Sequence, residues 1–212
     1  MKILDIHTHK PAPQPEAVES ICLSPTVEPE FIKDQLYSVG IHPWDTVIDV
    51  TEAEYARLDS FAERKDVVAI GETGLDLTPK GGPMFRQVLV FRHHIELSER
   101  LKKPLVIHDV KAHDMIVGIR RDLKPTQNWA IHGFRKNPEV AAMLLRAGCY
   151  ISFGADFNPD TVAKMPADRI LAETDESELS IEEVITRISG ARGEDMMRQI
   201  AKNTKEFLRP VM

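Results

Sequence analysis

The sequence predicts a compact, slightly degenerate α/β barrel of the TIM (β/α)₈ type. Eight strand-like runs alternate with helix-like stretches along the 212 residues, and this alternation is typical of parallel α/β folds. Several runs are almost wholly apolar, as in residues 105–107, which fits strands buried on both faces. Five runs end in His, Asp or Glu side chains. A doubly wound open sheet is the alternative, but its outer strands would lie too far apart for these ends to meet.

The eight predicted strands are short, and each is marked by a run of apolar residues. They cover about 3–7, 20–23, 36–41, 67–71, 104–108, 129–132, 149–153 and 170–174. Residues 10–15 follow the first strand and predict a loop, because their three prolines cannot form a helix interior. The span 24–35 has room for only a short helix. At this chain length, some barrel helices must therefore be brief or missing.

Helical patterning separates the other strands. Apolar residues recur at helical spacing over 83–101, which predicts a long helix. Thr51 is the expected N-cap of a helix over 52–64, and Asn137 begins a helix that stops before Gly148. Two last helices are predicted over about 180–190 and 193–208. We expect one barrel domain over residues 1–212.

Composition and charge restrict the classes of function. The net charge of −6 and the pI near 5.8 lack the basic footprint of most nucleic-acid binders, although bound divalent cations would add local positive charge. No apolar run approaches the ~20 residues of a membrane span, and no signal-peptide pattern precedes the first strand. We therefore expect a cytoplasmic, monomeric protein without membrane association.

The strand ends carry side chains that bind divalent metals. His7 and His9 form an H-x-H pair, and residues two apart in a strand face the same side. Imidazole and carboxylate together suit a divalent ion and predict a metal-dependent hydrolase. Asp175 suits ligation and general-base work, and Glu173 either backs a ligand or faces the helices. The candidate metal ligands are His7, His9, Glu72, His108, His132 and Asp175.

Ordered segments along nearly the whole chain resemble the TatD family of metal-dependent hydrolases, within the amidohydrolase-like barrels. The similar segments are Asp5-Ile6-His7-Thr8-His9, Gly40-Ile41-His42-Pro43, Ile70-Gly71-Glu72-Thr73-Gly74-Leu75-Asp76, Gln87 and Phe91, Pro104-Leu105-Val106-Ile107-His108, Ile131-His132-Gly133-Phe134, Ile151-Ser152-Phe153-Gly154, Leu171-Ala172-Glu173-Thr174-Asp175 and Asn203.

The resemblance implies two divalent ions, which could be Zn²⁺, Mn²⁺ or Mg²⁺. By analogy, His7, His9, Glu72 and Asp175 would hold one ion, and Glu72, His108 and His132 the other. The family implies phosphodiester hydrolysis, typically of DNA, by water that the two ions activate. Glu72, as the shared ligand, and Asp175, as proton acceptor, are the expected catalytic residues.

The chain departs from the family at the loops beyond the strands. Val110 replaces a usual basic residue and Lys111 follows it, Phe134-Arg135-Lys136 replaces a Ser or Thr and Gly, and the acidic segment 176–179 is short. We expect His42, Lys111 and Arg135 to contact an anionic substrate, either DNA or a small phosphoester. Hydrolysis of a small ester, amide or phosphoester is the second enzymatic interpretation. A metal-binding barrel without turnover is the third.

Overall fold

Eight parallel strands close into a barrel in chain order, which confirms the predicted fold. The computed structural model describes residues 3–11, 13–23 and 28–209. The strands are β1 (Asp5–Thr8), β2 (Ala17–Cys22), β3 (Leu36–Gly40), β4 (Val67–Asp76), β5 (Leu105–Val110), β6 (Trp129–Ile131), β7 (Tyr150–Phe153) and β8 (Ile170–Ala172). Asp5 pairs with Ala172 and so closes the barrel between β1 and β8.

The helices lie mainly after β3. They are α1 (Glu52–Ala62), α2 (Met84–Leu101), α3 (His113–Leu123), α4 (Pro138–Arg146), α5 (Pro159–Lys164), α6 (Ile181–Arg192) and α7 (Met197–Phe207), with 3₁₀ helices at Pro43–Val47 and Ala167–Arg169. The sequence did not predict α3, α5 or the 3₁₀ helices. Residues 28–35 form no helix, so the short helix expected within 24–35 is wrong for this part, and 24–27 lie outside the described residues.

Capping side chains set the helix starts that the sequence predicted. The Thr51 side chain accepts from the backbone N–H of Glu54, and the Glu54 side chain accepts in return from the Thr51 N–H. Asn137 accepts from the Val140 N–H at the start of α4. Each cap satisfies backbone donors that the first helical turn leaves unpaired, and both predicted starts are confirmed.

Strands β4 and β5 run further than the apolar pattern indicates. The prediction ended them at residues 71 and 108, but they pair onward from Thr73 with Ile107 to Asp76 with Val110. Gly71 has a φ of +143°, a conformation that side chains rarely adopt, and an added Cβ there would meet the backbone of Val106. Glycine therefore lets β4 pass close to β5 and carry Glu72 into the barrel mouth.

Apolar side chains fill the barrel below this mouth. A buried cluster joins six strands and the last helix through Ile6, Ala69, Val106, Ala130, Tyr150, Leu171 and Phe207. Val106, Ala130 and Leu171 precede polar residues at 108, 132 and 173 by two positions, so both sets face the barrel interior. The polar mouth thus rests on a closed apolar floor. Every helix in the described residues is too short or too polar to span a lipid bilayer.

Candidate metal centre

The carboxylate of Glu72 lies at the centre of five imidazoles. It is 4% exposed, and β4 carries it into the mouth of the barrel. Its Oε1 lies 2.7 Å from His108 Nδ1, 2.7 Å from His132 Nε2 and 3.0 Å from His42 Nε2. Its Oε2 lies 3.4 Å from His7 Nε2 and 3.6 Å from His9 Nε2. Both carboxylate oxygens are therefore shared among ligand-type nitrogens that come from four strand ends.

Asp175 completes the cluster from β8. Its Oδ1 lies 3.7 Å from both His7 Nε2 and His9 Nε2. The Asp175 N–H donates to the His7 carbonyl at 3.0 Å, and the His9 N–H donates to the Asp175 carbonyl at 3.1 Å. These bonds hold Asp175 in the left-handed region, at a φ of 52° that is uncommon for residues other than glycine. The backbone thus fixes the carboxylate beside the H-x-H pair.

Asp5 ties β1 to β8 beneath this pair. Its buried carboxylate accepts from the N–H of His7 at 3.2 Å, the N–H of Thr174 at 3.1 Å and the Thr174 hydroxyl at 2.7 Å. Burial raises the pKa of Asp5 to about 7, although these hydrogen bonds act against the rise. Asp5 therefore serves as a clamp between strands and not as a ligand in the cluster.

Two further carboxylates lie next to the outer nitrogens of His108 and His132. Asp76 Oδ2 lies 3.2 Å from His108 Nε2, and Glu173 Oε1 lies 3.5 Å from His132 Nδ1. Such contacts fix the tautomer and ring orientation of a metal-binding histidine. Glu173 is fully buried and also accepts from the Gly133 N–H at 2.5 Å. Glu173 therefore lies behind His132, a predicted ligand, and not against the helices.

Asp76 was not predicted as a functional residue. Its carboxylate accepts from Thr78 N–H at 2.8 Å and from the Trp44 indole at 2.7 Å. Burial would raise the pKa of Asp76, but the bonds from Thr78 and Trp44 outweigh it and lower the pKa to about 2. The signal was present in the sequence, since Asp76 follows Glu72 by four residues and strand residues at even spacing share a face.

The carboxylates and imidazoles of the cluster shift one another's pKa values in opposite directions. Burial would raise the pKa of Glu72, but the positive charge on His132 and hydrogen bonds from His108, His132 and His42 hold it well below its usual range. Burial would lower the pKa of His132, but the neighbouring Glu72 and Glu173 hold it well above its usual range. The hydrogen bond to Glu72 raises the pKa of His9. The carboxylates thus attract positive charge at this point.

The donor atoms fit a divalent metal. Three groups have donors that all lie within 4.8 Å of one another: His7, His132 and Asp175; His7, His9 and Glu72; and His42, Glu72 and His108. Both ring nitrogens of His7 are buried without a hydrogen-bond partner. An unpaired buried imidazole is costly, and a metal bound to one nitrogen would remove part of that cost. Nitrogen and carboxylate donors suit Zn²⁺ or Mn²⁺.

The grouping of donors differs in part from the predicted division between two ions. His132 groups with His7 and Asp175, whereas the resemblance placed it with Glu72 and His108. His42, an expected substrate contact, groups with Glu72 and His108, and its Nε2 lies 3.3 Å from His108 Nδ1. It is 8% exposed. The structure therefore places His42 inside the cluster, within reach of the same oxygen as two predicted ligands.

The other two expected substrate contacts lie further out. Arg135 lines a cavity of about 220 Å³ together with His108, His132 and Asp175. Its side chain is 61% exposed and lies 4.0 Å from Asp156. Lys111 is exposed in the loop after β5 and does not line this cavity, whereas Lys136 does. The structure brings Arg135 to the mouth of the site and leaves Lys111 outside it.

A closed (β/α)₈ barrel with imidazoles and carboxylates at its mouth defines the class of metal-dependent hydrolase barrels. The family described as TatD related DNase matches residues 26–209. The chain belongs to this TatD family of metal-dependent hydrolases, as its sequence resemblance predicted.

Three relatives each match about two thirds of the chain. A protein of Buchnera aphidicola named "Uncharacterized metal-dependent hydrolase" is 36% identical and covers 71% of this chain. YabD of Bacillus subtilis, also an uncharacterized metal-dependent hydrolase, is 32% identical over 67%. The "3'-5' ssDNA/RNA exonuclease TatD" of Erwinia billingiae is 31% identical over 65%. The chain spans 60%, 59% and 56% of the length of these relatives, in that order.

Solved structures show the same fold at lower sequence identity. YjjV, a TatD homologue from Escherichia coli, is 19% identical, with a TM-score of 0.81 over 97% of each chain. A TatD family hydrolase from Entamoeba histolytica is 18% identical, with a TM-score of 0.72 over 83% of this chain and 75% of its own.

Proposed function

We propose that the protein is a divalent-metal-dependent phosphodiesterase that cleaves nucleic acid, with DNA as the expected substrate. The arrangement of Glu72 supports this proposal most strongly, because its two oxygens lie within 3.6 Å of five imidazoles. A carboxylate in this position can serve two ions. The name of the Erwinia billingiae relative, an exonuclease of single-stranded DNA and RNA, supports the choice of substrate.

The proposed ligand set follows the family pattern. His7, His9, Glu72 and Asp175 would hold one ion, and Glu72, His108 and His132 the other. When bound, divalent ions lower the pKa of water and offset the negative charge of a phosphate. His42 is a further donor to the second position, since its Nε2 lies 3.0 Å from Glu72 Oε1. It would alternatively contact the substrate phosphate from there.

The two catalytic carboxylates have different environments and therefore different proposed roles. Glu72 is buried and its pKa is held well below the usual range by the histidines, so it stays ionised as the shared ligand. Asp175 has a side chain that is 28% exposed and lines the cavity at the mouth. It can accept a proton from the attacking water and return it to solvent. Asp175 is therefore the proposed general base.

The mouth offers positive charge to an anionic substrate. Arg135 and Lys136 line the 220 Å³ cavity beside His108 and His132. A chain with a net charge of −6 has little long-range attraction for a polyanion, so local cations and bound ions must supply it. We propose that these two side chains contact phosphates next to the scissile one. Lys111, in the loop after β5, is a less direct candidate for a phosphate contact because it does not line this cavity.

The test is hydrolysis of a labelled single-stranded DNA with Mg²⁺, Mn²⁺, Co²⁺ or Zn²⁺, by the unmodified protein and by Asp175→Asn. We expect cleavage by the former and a loss in kcat of about 100-fold or more in the variant. Asp114→Asn, at an exposed position on α3, is the matched control and should retain the rate. If Asp175→Asn kept the full rate with metal bound, Asp175 would not be the base.

A second candidate function is hydrolysis of a small ester, amide or phosphoester. The short acidic segment 176–179 favours it, because Glu176 lines a second cavity at the mouth, of about 290 Å³, beside His9 and Asp175, and would repel a long polyanion. A panel of such substrates under the same metal conditions separates the two functions. Turnover of small substrates without cleavage of any DNA or RNA would replace the nuclease proposal by this one.

A further inference from the structure

Trp44 is a large aromatic side chain at the mouth of the metal centre. It belongs to the 3₁₀ helix Pro43–Val47, directly after His42. It lines a cavity of about 290 Å³ together with His9, Glu72 and Asp175. Although it lies beside buried polar groups, its side chain is 42% exposed. An aromatic surface in this position marks a contact for a ligand.

The indole is held in one orientation by its neighbours. Its Nε1–H donates to Asp76 Oδ2 at 2.7 Å. The ring meets the His42 ring edge to face, with centroids 4.7 Å apart and planes at 84°, and it meets His108 at 6.0 Å and 76°. A ring fixed in this way loses little conformational freedom on binding, which favours affinity.

The ammonium of a lysine lies over the Trp44 ring. Lys80 Nζ lies 4.4 Å from the centroid of the Trp44 ring, and Lys80 is itself exposed. The ammonium can therefore turn to a phosphate, which would leave the ring face beneath it open to a planar group. Exposed aromatic rings next to cations bind single-stranded nucleic acid, because every base has a π face and every linkage a negative charge.

We propose that Trp44, with Lys80, forms a base-stacking subsite for an unpaired nucleotide beside the scissile phosphate. This inference rests on the proposed function. A base within a duplex is already stacked and paired, so the subsite selects single strands.

Binding can be measured without turnover. The chain has two tryptophans, and Trp129 is fully buried against Phe91, so a change in emission on ligand binding reports Trp44. The metal-loaded Asp175→Asn protein is titrated with oligo-dT and with an abasic oligonucleotide of the same length. We expect oligo-dT to quench the emission and the abasic strand to leave it unchanged.

Substitutions then separate stacking from hydrogen bonding. In the same background, we expect Trp44→Ala to weaken oligo-dT binding by about tenfold, measured by anisotropy of a labelled strand, and to leave binding of the abasic strand unchanged. Trp44→Phe keeps a ring and should recover most of the affinity. Phe85→Ala is the matched control, because Phe85 is 62% exposed and does not line the cavity.

The outcomes distinguish this subsite from the function on which it rests. Normal oligo-dT affinity in Trp44→Ala, or an equal loss for the abasic strand, overturns the subsite while the nuclease proposal stands. Failure of the unmodified protein to bind or cleave any oligonucleotide overturns both. Equal losses in Phe85→Ala and Trp44→Ala also contradict a local subsite.

Discussion

Gly40 ends β3 directly behind the backbone of Glu72. A Cβ added at Gly40 would lie 2.7 Å from the carbonyl carbon of Gly71 and 2.9 Å from its Cα, and closer still to the carbonyl oxygen of Glu72. Ordinary contacts begin at 3.4 Å. Gly40→Ala therefore requires a shift of about 1 Å, set by this oxygen, in the segment that carries the shared carboxylate.

The expected effect follows from this shift. Glu72 Oε1 lies 2.7 Å from both His108 and His132, so a movement of this size disturbs each contact. Misplacement of a reacting group by about 1 Å can reduce a rate ~10²-fold, and overpacking costs about 1–3 kcal/mol of stability. We predict that Gly40→Ala folds, binds metal more weakly and loses about 100-fold in kcat/KM.

The assay combines the cleavage rate, the metal concentration for half-maximal activity and urea unfolding. Gly118→Ala is the matched control, because no neighbouring atom lies within 4 Å of an added Cβ there. Since alanine favours a helix over glycine by about 1 kcal/mol, this control should be active and slightly more stable. Unchanged activity and metal affinity in Gly40→Ala would refute the reasoning.

Three further predictions concern residues around the site. His94 is fully buried, and burial lowers its pKa from 6.5 to about 4. Since the unfolded chain binds the extra proton first, the contribution of His94 to folding stability should fall by about 2 kcal/mol from pH 7.5 to pH 5. His94→Gln should remove that loss in urea unfolding with EDTA, and an identical pH dependence would contradict it. Asp76→Asn should weaken metal binding by about 10- to 100-fold, measured by metal titration, and unchanged affinity would contradict its role behind His108. Arg135→Gln should raise KM for DNA several-fold with kcat retained, and an unchanged KM would remove Arg135 from the substrate site.

The positions of the predicted ligands could be read from the sequence because each lies at or just after the end of an apolar, strand-forming run. In a closed barrel the C-terminal ends of all strands meet, so apolar runs that end in His, Glu or Asp place those side chains together. In this way His7 Nε2 comes to lie 3.4 Å from Glu72 Oε2 and 3.7 Å from Asp175 Oδ1. Strand periodicity also carries Glu173 behind His132, although the sequence left two roles open for it.

The sequence did not indicate how far side chains from loops would reach. Nothing in the pattern shows that the His42 ring turns inward to Glu72, or that the Trp44 indole bonds to Asp76, because both depend on the 3₁₀ turn after β3. The onward course of β4 depends on Gly71 and Gly74 at φ near +140°. An apolar run cannot signal that conformation, so the predicted strand ended too early.

Metal content is the measurement that tests the central claim most directly. The unmodified protein and Glu72→Gln are each stripped of metal and reloaded with Zn²⁺ or Mn²⁺. Excess metal is removed by gel filtration, and the bound metal is measured by inductively coupled plasma mass spectrometry. Because Glu72 is shared among all the donors, we predict two ions per chain in the unmodified protein and loss of at least one in the variant. Fewer than one ion per chain in the unmodified protein under metal-replete conditions would contradict the metal centre and the hydrolysis that depends on it.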